Sequence, residues 1–294
     1  MKSQIKLTGA MTAIVTPFKN GQVDYDALGN LIEAQITGGI QGLVPCGTTG
    51  ESPTLSHEEH DKVIEFTIQK VAGRVPVIAG TGSNSTEEAL RLTKEAKKAG
   101  ADACLVVNPY YNKPTQEGMY NHIAKIAEAD LPIVLYNIPG RTGVEMTAQT
   151  IARLYNDIPQ VVAVKEATGK LDLASEIASL CDITILSGDD SLTLPLYAVG
   201  GTGVISVLAN IMPEKIRKLT DLALAGDMEN ARNLHLELYP LFKGMFVETN
   251  PIPVKAAMAM LGMCENELRL PMCKLSEANE PGIRALLEKF DLLK

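Results

Sequence analysis

Cysteine is sparse and unpatterned in this chain. Its five cysteines, Cys46, Cys104, Cys181, Cys264 and Cys273, are odd in number and free of C-x-x-C spacing. They read as small apolar residues in a reducing compartment, not as disulfide staples or metal ligands. Excess positive charge is lacking as well. A formal net charge of -8 gives no electrostatic footprint for nucleic acid or an anionic membrane. No apolar run is long enough to span a bilayer, and no basic segment leads into an apolar one as in an export leader. The expected location is cytoplasmic. No G-x-G-x-x-G follows the first apolar strand, which weakens a dinucleotide-binding reading, and no G-x-x-x-x-G-K-[ST] is present. His57-Glu58-Glu59-His60 is not H-E-x-x-H: its histidines are three apart and no third ligand is evident. Asp189-Asp190 after the seventh strand could bind a cation, though acidic strand ends are usually just solvated. No metal and no cofactor is expected.

What the chain does have is alternation. It is 46% hydrophobic over 294 residues, enough for one large core or two small ones. Short apolar strands are expected at 10–18, 41–47, 75–82, 101–108, 132–139, 161–168, 183–188 and 203–207. Helical patterns lie between them at 24–38, from Ser56 onward, and at 86–99, 115–130, 147–156, 171–181, 191–199 and 214–226. Ser56 and Glu59 have the spacing of a capping box. Glu87 and Glu88 open the third helix and Lys97 and Lys98 close it, as the helix dipole prefers. Eight βα units in about 220 residues fit an α/β (β/α)8 TIM barrel better than an open sheet. Further helices at 228–247, 252–262 and 281–292 form a C-terminal helical segment expected outside the barrel. The division is therefore 1–227 for a catalytic barrel and 228–294 for the helical segment.

Within that frame one stretch stands out: Val161-Val162-Ala163-Val164-Lys165-Glu166-Ala167-Thr168-Gly169. A lysine ends a run that reads as a buried strand, and burial pushes an ammonium toward the neutral amine. A neutral amine in a pocket attacks carbonyl carbon, the first step of Schiff-base chemistry. Ala163, Lys165 and Ala167 share one face of the strand, and the alanines leave room for a small substrate. Taken alone, the stretch better fits a lysine that snorkels to solvent or pairs with Glu166. Barrel chemistry, however, gathers at the C-terminal ends of the strands. That mouth would also hold Thr48 and Thr49, Tyr110 and Tyr111, Tyr136 and Arg141. The Gly47-Thr48-Thr49-Gly50 turn can offer donors to the carboxylate of an α-keto acid. Tyr136 can carry protons for carbinolamine breakdown, and Arg141 can receive a second carboxylate through its planar fork. Each also has a plainer reading: a core aromatic, an interface loop, a surface charge, an ordinary turn. Gly200-Gly201-Thr202-Gly203 is a weak candidate for an anion cradle.

Gly47-Thr48-Thr49-Gly50-Glu51, Pro109-Tyr110-Tyr111-Asn112, Tyr136-Asn137-Ile138-Pro139-Gly140-Arg141-Thr142 and Val164-Lys165-Glu166-Ala167-Thr168-Gly169 together resemble the dihydrodipicolinate synthase family. So do Gly203-Val204-Ile205-Ser206 and Asn250-Pro251-Ile252-Pro253-Val254-Lys255. The similarity runs in order over essentially the whole chain. It implies a barrel with a C-terminal helical segment, assembled as a homotetramer (a dimer of dimers). It also implies condensation of pyruvate with aspartate-4-semialdehyde in the diaminopimelate route to lysine. Lys165 falls on the Schiff-base position. Tyr136, Thr48 and Tyr111 fall on a proton relay, with Tyr111 reaching into a neighbouring subunit's site. Thr49 and the main chain at Ile205 fall on pyruvate contacts, and Arg141 on the receptor for the semialdehyde carboxylate. Ser52, His57, His60, Asn84, Glu88 and Tyr110 cover a feedback site for L-lysine. Pro53 departs from the alanine common in lysine-sensitive members. Another pyruvate-dependent aldolase, such as an N-acetylneuraminate lyase, would share Lys165, Tyr136 and the threonine turn. Arg141 in Tyr-x-x-Pro-x-Arg argues against it, because a neutral sugar aldehyde needs no guanidinium there. A non-catalytic barrel that senses a keto acid would not need Lys165 and the hydroxyls together.

Overall fold

The computed structural model describes residue 5 and residues 7–293. Eight parallel strands form the barrel: β1 Gly9–Ala13, β2 Leu43–Val44, β3 Ile78–Gly80, β4 Ala103–Val107, β5 Ile133–Asn137, β6 Val161–Glu166, β7 Thr184–Ser187 and β8 Gly203–Ser206. Ladder pairing runs β2-β1-β8-β7-β6-β5-β4-β3. The ring closes between β2 and β3 through a Leu43–Val77 bridge and through Gly80 N–H to the Pro45 carbonyl at 2.9 Å. Eight helices face the strands: α1 Tyr25–Thr37, α2 His57–Val71, α3 Thr86–Ala99, α4 Gln116–Ile126, α5 Ala148–Asp157, α6 Leu171–Leu180, α7 Thr193–Tyr197 and α8 Pro213–Leu224. The helices α9 Met228–Gly244, α10 Ile252–Met260 and α11 Glu280–Lys289 follow. Among the described residues no helix is long and apolar enough to cross a membrane.

Two apolar layers result from the period-2 alternation of the strands. Met11, Val44, Ile78, Leu105, Val134, Ala163, Leu186 and Ile205 fill the barrel interior. The alternate positions, among them Ala10, Leu43, Ala79, Val106, Leu135, Val164, Ile185 and Val204, pack against the helices. A filled interior leaves no axial pore, so reactive side chains emerge only at the strand ends. The helix starts follow their caps. Ser56 and Glu59 form the capping box on α2, and Asp24, Ser85, Thr115 and Thr147 cap α1, α3, α4 and α5.

Several elements are shorter than their apolar patterns. The first strand ends at Ala13, and Phe18–Lys19 instead pairs with Gln22–Val23 around Asn20-Gly21, both at positive φ (53° and 79°), as a tight hairpin turn requires. In the second, only Leu43 and Val44 join the ladder, because Pro45 has no N–H and Cys46 turns to φ 55°. The fifth strand stops at Asn137. Pro139 then opens a short helix, Pro139–Thr142, where a missing N–H is harmless. Pro195 and the Gly200-Gly201 pair confine α7 to five residues. Gly200-Gly201-Thr202 lead into β8, which Gly203 opens, at the end of the barrel opposite the mouth. There Gly201 and Thr202 N–H already bond the Leu196 and Ile185 carbonyls, so no anion cradle forms.

Candidate active site

Lys165 lies at the C-terminal end of β6, in register with Tyr136 on β5 and Leu186 on β7. Only 6% of its surface is exposed, and the alternation that buries Ala163 inside the barrel points Lys165 the same way. Its Nζ stands 4.2 Å from the centroid of the Tyr136 ring, and Glu166, on the opposite face, turns away. The Glu166 carboxylate takes the Thr168 N–H at 2.6 Å and the Thr168 hydroxyl, and burial pushes its pKa up. The snorkelling and Glu166-paired alternatives are thereby removed. Next to the lysine, Gly188 follows β7. A Cβ there would lie 2.6 Å from Ala167 Cβ and 3.1 Å from Lys165 Cε, so the missing side chain is the space the lysine stem occupies.

A cavity of about 450 Å³ reaches Tyr136 but does not include Lys165 in its wall; it is large enough for a small ligand. Thr48, Tyr136 and Arg141 line it. Thr49, buried behind Thr48, accepts a hydrogen bond on its hydroxyl from Asn250 Nδ2 at 2.9 Å. Arg141 projects from the short helix after β5 and donates from Nη2 to the Asn250 carbonyl at 3.1 Å, leaving its other N–H groups free for a carboxylate. Ile205, on β8, is buried in the inner layer beside Met11. Asp190 lies just after β7 and accepts the N–H groups of Val207 and Leu208, each at 3.0 Å, which fixes the chain leaving β8. Burial raises its pKa. Asp189 caps the following turn through Ser191. Both acids therefore serve backbone, and no group of metal-ligating side chains occurs among the described residues.

Tyr111 is separate. It sits at φ 69° with 89% of its surface exposed and lines no part of the cavity of its own chain. Asn112 ties this loop to the start of α3, donating from Nδ2 to the Asn84 carbonyl at 2.8 Å.

The candidate regulatory residues extend the same cavity, whose wall includes Ser52, Pro53, His57, His60, Glu88 and Tyr110. Asn84 does not line this cavity; its carbonyl accepts the Asn112 hydrogen bond. Glu88 receives hydrogen bonds from Ser83 and from His57 Nε2, the latter at 2.8 Å, and these hold its carboxyl below the usual range. His60 is buried, and its Nε2 bonds the Gly80 carbonyl at 2.9 Å. Burial lowers its pKa, and its Nδ1 is buried 3.7 Å from an Asp61 carboxylate oxygen. The anionic Glu88 at the cavity wall suits an ammonium group.

The sequence alone gives the Asn250–Lys255 stretch no role and does not mark Gly188. The structure brings both to the mouth. The one available signal was a lysine, Lys255, inside an otherwise apolar helix start.

The chain matches the dihydrodipicolinate synthetase family over residues 6–290. It is 56% identical to the 4-hydroxy-tetrahydrodipicolinate synthase of Oleidesulfovibrio alaskensis, with 98% of this chain and all of that protein aligned. The crystal structure of dihydrodipicolinate synthase from Aquifex aeolicus superposes with a TM-score of 0.96 at 52% identity, covering 97% of this chain and 99% of that one. The synthase of Cyanidioschyzon merolae with lysine bound superposes at 0.95 with 42% identity, covering 97% and 99%. A lysine at a strand end under a tyrosine ring, a threonine turn and an arginine thus occur in a chain aligned end to end with these enzymes, and the chain belongs to the dihydrodipicolinate synthetase family.

Proposed function

We propose that this chain is a class I aldolase-type lyase that condenses pyruvate with L-aspartate-4-semialdehyde to 4-hydroxy-tetrahydrodipicolinate, in the diaminopimelate route to lysine. The observation that carries the reading is the Lys165 amine, buried at the end of β6 against the Tyr136 ring. Pyruvate enters with its carboxylate at the Thr48-Thr49 turn and near the main chain of Ile205. The Lys165 nitrogen adds to C2, and the carbinolamine loses water to give an imine. Tyr136 and Thr48 exchange the protons of that loss. Removal of a methyl proton gives the enamine, whose terminal carbon attacks the semialdehyde carbonyl. A new C–C bond forms as the aldehyde oxygen takes up a proton. The amine of the former semialdehyde then adds to the imine carbon, closing the ring. The C–N bond to Lys165 breaks, which releases the product and the free lysine amine. Arg141, already held at one end by Asn250, receives the semialdehyde carboxylate.

The exposed Tyr111 completes the relay in a neighbouring subunit, within a tetramer built as a dimer of dimers. The free cysteines suit a cytoplasmic setting. L-Lysine binds beyond the catalytic residues, its ammonium on Glu88, with Ser52, His57, His60, Asn84 and Tyr110 around it. The Asn112–Asn84 hydrogen bond links that region to the Tyr111 loop.

The test is to incubate the protein with pyruvate, reduce with borohydride and map the adduct, then assay condensation with the semialdehyde beside sugar aldehydes. An adduct on Lys165 and turnover with the semialdehyde alone are expected. An adduct elsewhere, or turnover only with sugar aldehydes, refutes the reading.

A further inference from the structure

Helix α10 starts Ile252-Pro253-Val254-Lys255-Ala256-Ala257-Met258, and every one of these residues is buried. A lysine in such a helix has no path to water. Lys255 is 0% exposed, and its ammonium is satisfied entirely by protein. Nζ donates to Glu51 Oε1 at 2.5 Å and to the Glu267 carbonyl at 2.8 Å. The Phe18 ring centroid lies 4.3 Å away. The second Glu51 oxygen accepts the Arg269 N–H at 3.1 Å. Both charges are thus paired and hydrogen-bonded, the condition under which buried ions persist.

The location of Glu51 gives this pair a bearing on chemistry. Glu51 ends the Gly47-Thr48-Thr49-Gly50 turn and sits in the left-handed region at φ 51°, ψ 36°, which glutamate adopts only when something holds it. Its own N–H bonds the Thr48 carbonyl at 3.1 Å. A second tether comes from the same short stretch of chain, where Asn250 Nδ2 holds the Thr49 hydroxyl. Asn250 and Lys255 are rigidly related, because Lys255 N–H bonds the Pro251 carbonyl at 3.0 Å in the first turn of α10. The C-terminal segment therefore grips the threonine turn at two points.

We propose that Lys255 is a positioning residue for the condensation: paired with Glu51, it fixes the Thr48-Thr49 turn in the geometry that receives the keto acid. Lys255 touches no reactant and acts through Glu51. The inference rests on the assignment of that turn to pyruvate given under Proposed function. A buried ion pair adds little net stability over apolar residues of similar volume. Its directional bonds nevertheless select one position of the turn, so its effects on folding and on pyruvate binding are separable.

The experiment compares the full-length native protein with Lys255→Met, the double variant Glu51→Gln/Lys255→Met, and Thr49→Val. Melting temperature is read together with KM for pyruvate and kcat. Lys255→Met leaves a buried carboxylate unpaired and is expected to melt lowest. The double variant removes both charges and is expected to regain most of the melting temperature while KM for pyruvate stays about tenfold or more above native, the scale of one hydrogen bond of ordinary net strength. A double variant with native KM overturns the proposal. If that variant does not fold, the near-isosteric Glu51→Gln alone is read the same way: raised KM supports the proposal and native KM overturns it. Thr49→Val separates this inference from its foundation. If it leaves KM for pyruvate unchanged, the turn is not the keto-acid receptor. If it raises KM while the double variant does not, only the positioning role falls.

Discussion

Gly188→Ala perturbs the reactive lysine without touching its chemistry. The added Cβ would stand 2.6 Å from Ala167 Cβ, 3.1 Å from the Glu166 carbonyl oxygen and 3.1 Å from Lys165 Cε, where carbon atoms normally keep about 3.5–4.0 Å. Ala167 has no rotamer to change, and Gly188 N–H is held to the Glu166 carbonyl at 2.7 Å. The backbone must therefore open by about 1 Å between β6 and β7, and the lysine stem must swing. Overpacking of this kind costs about 1–3 kcal/mol of stability, a few degrees of melting temperature in a chain of this size. Misplacing the attacking nitrogen by about 1 Å slows imine formation on the order of a hundredfold. Rapid borohydride quenching after pyruvate addition measures imine formation directly, and thermal melting measures the strain. Gly282→Ala serves as control: it lies in α11 with nothing within 4 Å of the added carbon, and should stabilise by about 0.5–1 kcal/mol with native imine kinetics. If Gly188→Ala melts lower yet traps pyruvate at the native rate, the packing at residue 188 does not set the lysine's position.

Arg141→Ala should spare the pyruvate imine but slow condensation by about tens- to several-hundred-fold, the loss of a charge-assisted contact of about 2–4 kcal/mol; equal loss of both steps in stopped assays would make Arg141 structural. Tyr111→Phe and Lys165→Ala, each inactive, should partly restore turnover when mixed under subunit exchange, and no recovery after verified exchange would mean that Tyr111 serves its own subunit. L-Lysine, but not D-lysine, should inhibit the initial rate partially, and Glu88→Ala should weaken that inhibition; a flat titration with no calorimetric binding removes the regulatory site. His122 is buried with Nδ1 on Thr86, and burial lowers its pKa from 6.5 to about 4. Between those values the unfolded chain takes a proton that the folded chain refuses, so stability should fall with pH across the window by up to about 3 kcal/mol; His122→Gln should flatten that part of the melting profile.

The barrel was legible because its signal is repetitive. Eight apolar runs separated by capped amphipathic helices leave few other architectures, and errors in any one element do not change the count. Those errors fall where a local residue overrides the apolar pattern. Pro45 and Cys46 end β2, Pro139 turns the tail of the fifth strand into a helix, and Asn20-Gly21 folds the tail of the first into a hairpin. Hydropathy cannot see these, because Ile138 and Phe18 are as apolar outside the ladder as inside it.

The site was legible to the extent that chemistry announces itself by residue type. A lysine closing a β-branched run, a tyrosine in the adjoining strand and an arginine four residues past its end are unusual residues in predictable places. The supporting contacts have no such mark. Gly188 matters for an atom it lacks, and Asn250 matters for a carbonyl and an amide that any asparagine carries. Their contacts join positions 201 residues apart for Thr49–Asn250 and 109 apart for Arg141–Asn250, separations at which no periodicity survives. Lys255 is intermediate: a charge inside an apolar helix predicts a buried partner, but only the fold shows that the partner is Glu51, 204 residues away. The helical segment after the barrel, whose sequence suggests an outer appendage, thus supplies three of the contacts that hold the mouth in place, through Thr49, Glu51 and Arg141. Loosening residues 250–255 should therefore weaken the receptors for both carboxylates together, whereas a change confined to one barrel strand should weaken one.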